Sequence, residues 1–167
     1  TYVFRDIFIK TIQQLKPLVL DERLNPSKIE YDSSDMGKLG FMFIDRAKMN
    51  QVAYNLLINC IKYAEDDPEE FTIRISVNRK GDYFIVTFKD WGIGIPKKFS
   101  EKVFEDGFRT PEALRKNVTG SGLGLTISRK IMREMGGDLK LANHYKPAAF
   151  EIHLPVKLKE RPDDFVH

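Results

Sequence analysis

The spacing of apolar positions changes period several times along the chain, and each change predicts an element. Val3, Phe4, Ile7, Phe8, Thr11, Ile12 and Leu15 fall at helical spacing, and Pro17 is expected to interrupt that helix. The runs KIEYD and KLGFMFID read as two short strands joined by a polar turn over Ser33 to Gly37. A long helix follows from Arg46 to about Ala64 and stops at EDDPEE. FTIRISVNR and DYFIVTFKD then alternate with period two around Lys80-Gly81-Asp82, the pattern of a hairpin. After WGIGIP come a short helical stretch from Lys97 to Phe104 and a polar segment, EDGFRTPEALRKNV, expected to carry no element of its own. A helix from about Leu123 to Met135 ends at Gly136 and Gly137. DLKLAN and AAFEIHLPV close as a last strand pair. Strands and helices do not alternate strictly, so the predicted class is α+β, with helices on one face of a largely antiparallel sheet.

Composition narrows the partners more than the fold. The chain has 167 residues, 42% of them hydrophobic, enough for one domain with its own core. Charged residues of both signs at 31% and aromatics at 11% do not suit a disordered chain. A net charge of +3, carried by scattered basic residues, argues against nucleic acid as a partner. No apolar run reaches the length of a membrane span and no signal peptide is visible, so no membrane contact by this chain is expected. The single cysteine, Cys60, rules out an internal disulfide and fits a reducing, cytoplasmic setting. The chain opens at Thr1 in what reads as mid-helix. It is therefore expected to be a piece of a longer protein, whose membrane anchor, if it has one, lies elsewhere.

Four places along the chain carry chemistry. On the helix RAKMNQVAYNLLINCIKYA, at about 100° per residue, Lys48, Gln51, Asn55, Asn59 and Lys62 share one stripe. A core helix with one solvated face would explain the stripe. Yet asparagine is a poor helix former, and two carboxamides with a lysine beyond them also suit a metal–phosphate site. DWGIGIP follows directly on a strand. It reads either as an ordinary strand-ending turn or as an adenine site, in which the acceptor-only carboxylate of Asp90 takes the exocyclic amino group while Gly92 and Gly94 let the backbone come close. The polar stretch from Glu105 to Val118 has the length of a lid, with Arg109 at its start; a plain surface arginine is the rival reading. TGSGLGLTISRK, finally, opens a helix. It lacks the G-K-[ST] of a P-loop, and it does not follow a strand as a dinucleotide fingerprint does. Backbone amides at the helix start could hold phosphate, or the glycines could be a hinge alone.

Taken in order, the four segments resemble the catalytic ATP-binding domain of sensor histidine kinases, in the superfamily shared with gyrase, the MutL repair proteins and a heat-shock chaperone. QVAYNLLINCIKYA is similar to the N box, DWGIG to the first glycine box, VFEDGFR to the F box and TGSGLGL to the second glycine box; MREMGGDLKL resembles the usual sequel. The resemblance implies a two-layer α/β sandwich of the Bergerat type, with a mixed sheet, helices on one face and a mobile ATP lid. It further implies one domain over residues 1–160, with the lid at 105–120 and a tail at 161–167. ATP and Mg²⁺ are the implied ligands. Asn59 is the implied metal ligand, Lys62 reaches phosphate, Tyr63 packs near the nucleotide, and Asp90 binds the adenine amino group. Gly92, Gly94 and Ile95 shape the pocket. Phe104 and Phe108 anchor the lid, and Arg109 contacts the transferred phosphate. Gly120, Ser121, Gly122, Leu123, Gly124 and Leu125 supply the lid hinge and phosphate-facing backbone.

Asn55 stands where hydrolysing relatives have a water-activating glutamate, and a carboxamide is no general base at neutral pH. With Lys62 and Arg109 it makes up the implied catalytic set, one suited to transfer rather than hydrolysis. Gly107 departs from the pattern, standing where the F box commonly has a second aromatic, which bears on how the lid is anchored. The implied activity is transfer of the γ-phosphoryl group to a histidine on a dimerisation and phosphoacceptor domain of the same parent protein, with a response regulator downstream. No histidine of this chain is placed to be that acceptor, since His144, His153 and His167 all follow the glycine boxes. A serine kinase of the anti-sigma type and a non-catalytic ATP-sensing module share the fold and stay open as alternatives.

Overall fold

The structure is a computed structural model and describes residues 1–116 and 119–160. Five strands form one mixed sheet in the order β1-β2-β3-β5-β4: β1 (Ile29–Tyr31), β2 (Ile73–Lys80), β3 (Tyr83–Asp90), β4 (Asp138–His144) and β5 (Ala148–Pro155). β1 runs parallel to β2, and the other pairs are antiparallel. The expected sheet and both expected hairpins are present.

Period-two alternation gives this sheet one hydrocarbon face. Val77, Val86, Ile152 and Leu139 lie side by side across four strands, and Ile75, Phe88, Phe150 and Leu141 form the next row. The row after that is Ile73, Asp90 and Ala148, so the alternation turns Asp90 toward the same face as Phe84, Val86 and Phe88. Over this face lie α1 (Lys10–Asp21), α3 (Arg46–Lys62) and α5 (Gly124–Glu134). α3 is started by Asp45, whose carboxylate accepts from the Lys48 N–H at 3.0 Å. It buries Met49, Val52, Ala53, Leu56, Leu57, Cys60 and Ile61. The Phe8 ring meets Phe88 at 5.7 Å between centroids.

Four local expectations need correction. Pro17 does not interrupt the first helix: a π-helical turn over Phe4–Ile9 leads into α1, which runs through the proline to Asp21. Pro17 and Gln13, whose carbonyl loses a partner, are both exposed, while Leu15 and Val19 are buried on the other side and hold the helix in place. KLGFMFID forms no strand beyond an isolated bridge between Tyr2 and Phe41. Met42 exchanges backbone hydrogen bonds with Thr1, and the Phe43 N–H goes to Leu158, so no ladder propagates. The turn at Ser33–Gly37 is a short helix, α2, capped by Asp32 and fastened by the buried Met36. The expected helical stretch from Lys97 to Phe104 is two 3₁₀ turns, Lys97–Phe99 and Lys102–Phe104.

Phe88 sits at the centre of the buried face, fully enclosed. Phe88→Ala is expected to lower unfolding free energy by about 3–5 kcal/mol, read as a lower urea midpoint at unchanged slope.

Candidate functional site

α3 passes over the Asp90 end of the sheet, and its polar stripe divides there. Lys48 is exposed and paired with Glu134 at 2.8 Å, and Gln51 is solvated; both lie outside the cavity. Asn55, Asn59 and Lys62 line a cavity of about 350 Å³ bounded by α3, the end of β3, α5 and the segment between residues 105 and 122. The Asn55 amide donates to the Gly124 carbonyl at 3.2 Å and to Ser128 Oγ at 3.1 Å, tying α3 to the first turn of α5. The Asn59 carboxamide has no hydrogen-bond partner among the described residues and is free to serve a ligand. Lys62 Nζ donates to the Thr119 carbonyl at 3.1 Å, and both residues line the cavity.

Asp90 is 9% exposed at the cavity floor. Its Oδ1 accepts from the Gly92 N–H at 3.1 Å, and its Oδ2 lies 3.8 Å from Cys60 Sγ. Gly92 has no room for a side chain, because a Cβ there would run into the Tyr63 carbonyl oxygen. That same carbonyl accepts from the Ile93 N–H at 3.0 Å, so the end of α3 and the glycine loop are pressed together. Gly94 has φ +71° and lies under Tyr145, with the neighbouring Ile95 N–H bonded to His144.

The polar segment carries an element that the sequence reading left out. Thr110 caps α4 (Pro111–Arg115), accepting from the Ala113 N–H at 3.1 Å, with proline in the first turn. Lys116 Nζ bonds Asp66 beyond the end of α3 at 2.9 Å. Arg109 reaches toward the Gly120 and Ala113 carbonyls, each at 3.5 Å, and lines the cavity. Gly107 has its own job: its N–H donates to the Gly122 carbonyl at 3.1 Å, and both residues have φ above +70°. A Cβ on Gly122 would lie 2.7 Å from the Gly107 carbonyl carbon. The two ends of the segment are thus clasped backbone to backbone. Phe108 packs on Phe99 at 5.3 Å, and Phe104 lies between Phe150 and the Arg129 guanidinium.

The structure brings together most of the residues expected in the site. Asn55, Asn59, Lys62, Tyr63, Asp90, Gly94, Ile95, Phe108, Arg109, Gly120, Ser121, Gly122, Gly124 and Leu125 line the cavity. Gly92, Phe104 and Leu123 do not: Gly92 is wedged against Tyr63, Phe104 is buried beneath Arg129, and Leu123 precedes α5 with its side chain partly exposed. The lid expectation at 105–120 includes residues 117 and 118, and the tail at 161–167 also lies outside the described residues. Cys60, Ile93, Thr110, Ala148 and Phe150 line the cavity without having been singled out. The strand register could have found Ala148, directly opposite Asp90.

Chemically, the cavity is lined by one buried carboxylate, Asp90, by two cations, Lys62 and Arg109, and by apolar side chains. No group of three or more His, Cys, Asp or Glu suited to a metal occurs among the described residues. A lone neutral carboxamide, Asn59, holds a hard cation only if an anionic ligand supplies the other oxygens, which suits a metal that arrives with phosphates. Burial pushes the Asp90 carboxyl up to about 6, opposed by hydrogen bonds from Gly92 and Cys60.

A sequence profile described as histidine kinase-, DNA gyrase B-, and HSP90-like ATPase matches residues 44–158, and the chain belongs to that family. It is similar to the sensor histidine kinase WalK of Bacillus subtilis (strain 168), at 35% identity over 126 residues covering 75% of this chain and 20% of WalK. It is also similar to the autoinducer 2 sensor kinase/phosphatase LuxQ of Vibrio cholerae, at 30% over 120 residues covering 71% of this chain and 14% of LuxQ. The chain therefore spans a fifth or less of the length of these relatives. The nucleotide-free catalytic domain of histidine kinase ThkA superposes with a TM-score of 0.61 at 26% identity, covering 87% of this chain and 92% of that one. ThkA solved in complex with the response regulator protein TrrA gives 0.65 at 23% identity, over 91% of this chain and 40% of that one. The chain is the ATPase domain found in two-component sensor kinases. No described helix is long and apolar enough to cross a membrane.

The raised Asp90 pKa sets a stability trend. The carboxyl favours its protonated form more in the folded than in the unfolded chain. Its stabilising contribution is full below about 3.8 and is lost as pH rises through about 6. The wild type without ligand is expected to lose on the order of 3 kcal/mol from this group between pH 4 and pH 8. Asp90→Asn removes that slope, and urea melts of both proteins across the range check it.

Proposed function

We propose that this chain binds Mg·ATP in the cavity and donates the γ-phosphoryl group to a histidine on the dimerisation and phosphoacceptor domain of its parent protein. The observation that carries the reading is the lining of the cavity. One buried carboxylate acceptor, Asp90, and two cations, Lys62 and Arg109, share the cavity with apolar walls. Asp90, when ionised, accepts the adenine amino N–H, with Gly94 and Ile95 beside the base and Tyr63 along the same wall. Asn59 ligates the Mg²⁺, which neutralises phosphate charge when bound. Lys62, exchanging the Thr119 carbonyl for phosphate, and Arg109 hold the terminal phosphates. The glycine loop from Gly120 to Gly124, with Ser121, Leu123 and Leu125, offers backbone amides at the start of α5, and Phe104 and Phe108 root the lid below it.

Asn55 supports transfer over hydrolysis. It has no carboxylate to activate water, and its amide is committed to Gly124 and Ser128. Residues 105–120 serve as the lid, and residues 1–160 act as one unit on the cytoplasmic side, with any membrane anchor in the rest of the parent. The names of the curated relatives favour histidine over serine as acceptor, and the ThkA complex with TrrA supports a response regulator as the downstream partner.

Calorimetric titration with a non-hydrolysable ATP analogue and Mg²⁺ tests the site. The wild type is expected to bind, and Asp90→Asn to bind at least tenfold more weakly; equal binding sinks the adenine assignment. Asn59→Ala should bind the analogue equally with Mg²⁺ and with EDTA, whereas the wild type binds more tightly with the metal, and Mg²⁺ alone should give no heat with either. With an added phosphoacceptor domain, the phosphate formed should be acid-labile and base-stable. An acid-stable product points to serine, and binding without any transfer points to a sensing module.

A further inference from the structure

Cys60 follows Asn59 on α3 but faces the sheet, and it meets Asp90, the one buried carboxylate among the described residues. Sγ lies 3.8 Å from Asp90 Oδ2, within reach of an S–H···O hydrogen bond, while the Gly92 N–H serves Oδ1 at 3.1 Å. Each carboxylate oxygen thus has one protein donor, which fixes the plane of the group and leaves the remaining lone pairs for a ligand. Both Cys60 and Asp90 line the cavity, although they are only 5% and 9% exposed. The other groups around Asp90 are apolar: Ile73 from β2 and Ala148 from β5 flank it in register. Besides burial, only the Gly92 N–H and the Cys60 thiol bear on its charge among the described residues.

We propose that Cys60 is a positioning residue for adenine recognition, its thiol orienting the Asp90 carboxylate toward the 6-amino group of the base and keeping it an acceptor. The proposal rests on the adenine reading given above. A donor to Oδ2 favours the ionised carboxylate, so its loss must raise the pH below which the base is no longer taken. Alanine removes the donor, valine removes it while keeping the site filled, and serine keeps a hydroxyl on the same Cβ.

The test is a calorimetric titration with ADP from pH 5 to pH 8 on wild type, Cys60→Ala, Cys60→Val, Cys60→Ser and Asp90→Asn. The phosphates of ADP titrate alike for every protein, so differences between variants report on Asp90. Wild-type affinity should fall as pH drops through about 6. In Cys60→Ala the midpoint should move up by about half a unit or more, weakening binding roughly twofold at pH 6 and about threefold at pH 5 while leaving it nearly unchanged at pH 8. Cys60→Ser should stay near wild type, and Cys60→Val repeats the alanine result should that variant fail to fold. If the wild type takes no ADP, or Asp90→Asn binds it as well as wild type, the adenine reading fails and this proposal with it. If Asp90→Asn loses binding while the alanine and valine variants keep the wild-type midpoint, the thiol only fills space and this proposal alone is overturned.

Discussion

On the helix-facing side of β3, Phe84, Val86 and Phe88 are followed by Asp90, so the fold must accommodate a carboxylate where the row calls for hydrocarbon. Taking a charge into such a place is costly unless hydrogen bonds attend it. The surroundings are arranged accordingly. The backbone turns at once to present the Gly92 N–H, and the last turns of α3 come close enough for Cys60 to approach. That approach presses the Tyr63 carbonyl onto residue 92, and only glycine fits there. The register of one strand thereby dictates the placement of the long helix, the composition of the loop after the strand, and the floor of the cavity.

From that floor the rest of the cavity follows by reach along α3. Residues one helical turn apart look the same way, so Asn55, Asn59 and Lys62 all line the cavity while Cys60 turns to the carboxylate. Asn55 fastens the helix on which the glycine loop ends, and Lys62 touches the strand of backbone that closes the far side. One rigid helix therefore holds Cys60 against the carboxylate and Asn55, Asn59 and Lys62 in the cavity, the kind of support a positioned ligand requires.

The β2–β3 and β4–β5 hairpins, α3 and α5 were legible because long runs with a clean period leave little choice. The candidate site was legible from Asn59, Asp90 and the two glycine loops taken together. Three kinds of feature were not. α2 and α4 are too short for periodicity, although Asp32 and Thr110 each sit where an N-cap belongs. Pro17 reads as a break, since nothing local says that the missing amide falls on the solvent side of a helix held by Leu15 and Val19. Phe41 and Phe43 alternate like a strand, yet the neighbouring amides are used by Thr1 and Leu158, partners distant in sequence. Gly107 belongs to the same class: its value lies in meeting Gly122, and no pattern local to either residue states that they touch.

The Gly107–Gly122 clasp also separates two properties that are usually linked in a long loop. Bringing the ends of a flexible segment together costs entropy that grows with its length. Here the protein frame fixes those ends whatever lies between them. The span above the clasp is then free to differ in length and composition, at a cost of only about 0.6 kcal/mol for each doubling. The base of the segment works like a socket, so changes within the span are borne by the span's own contacts and not by the joint that roots it.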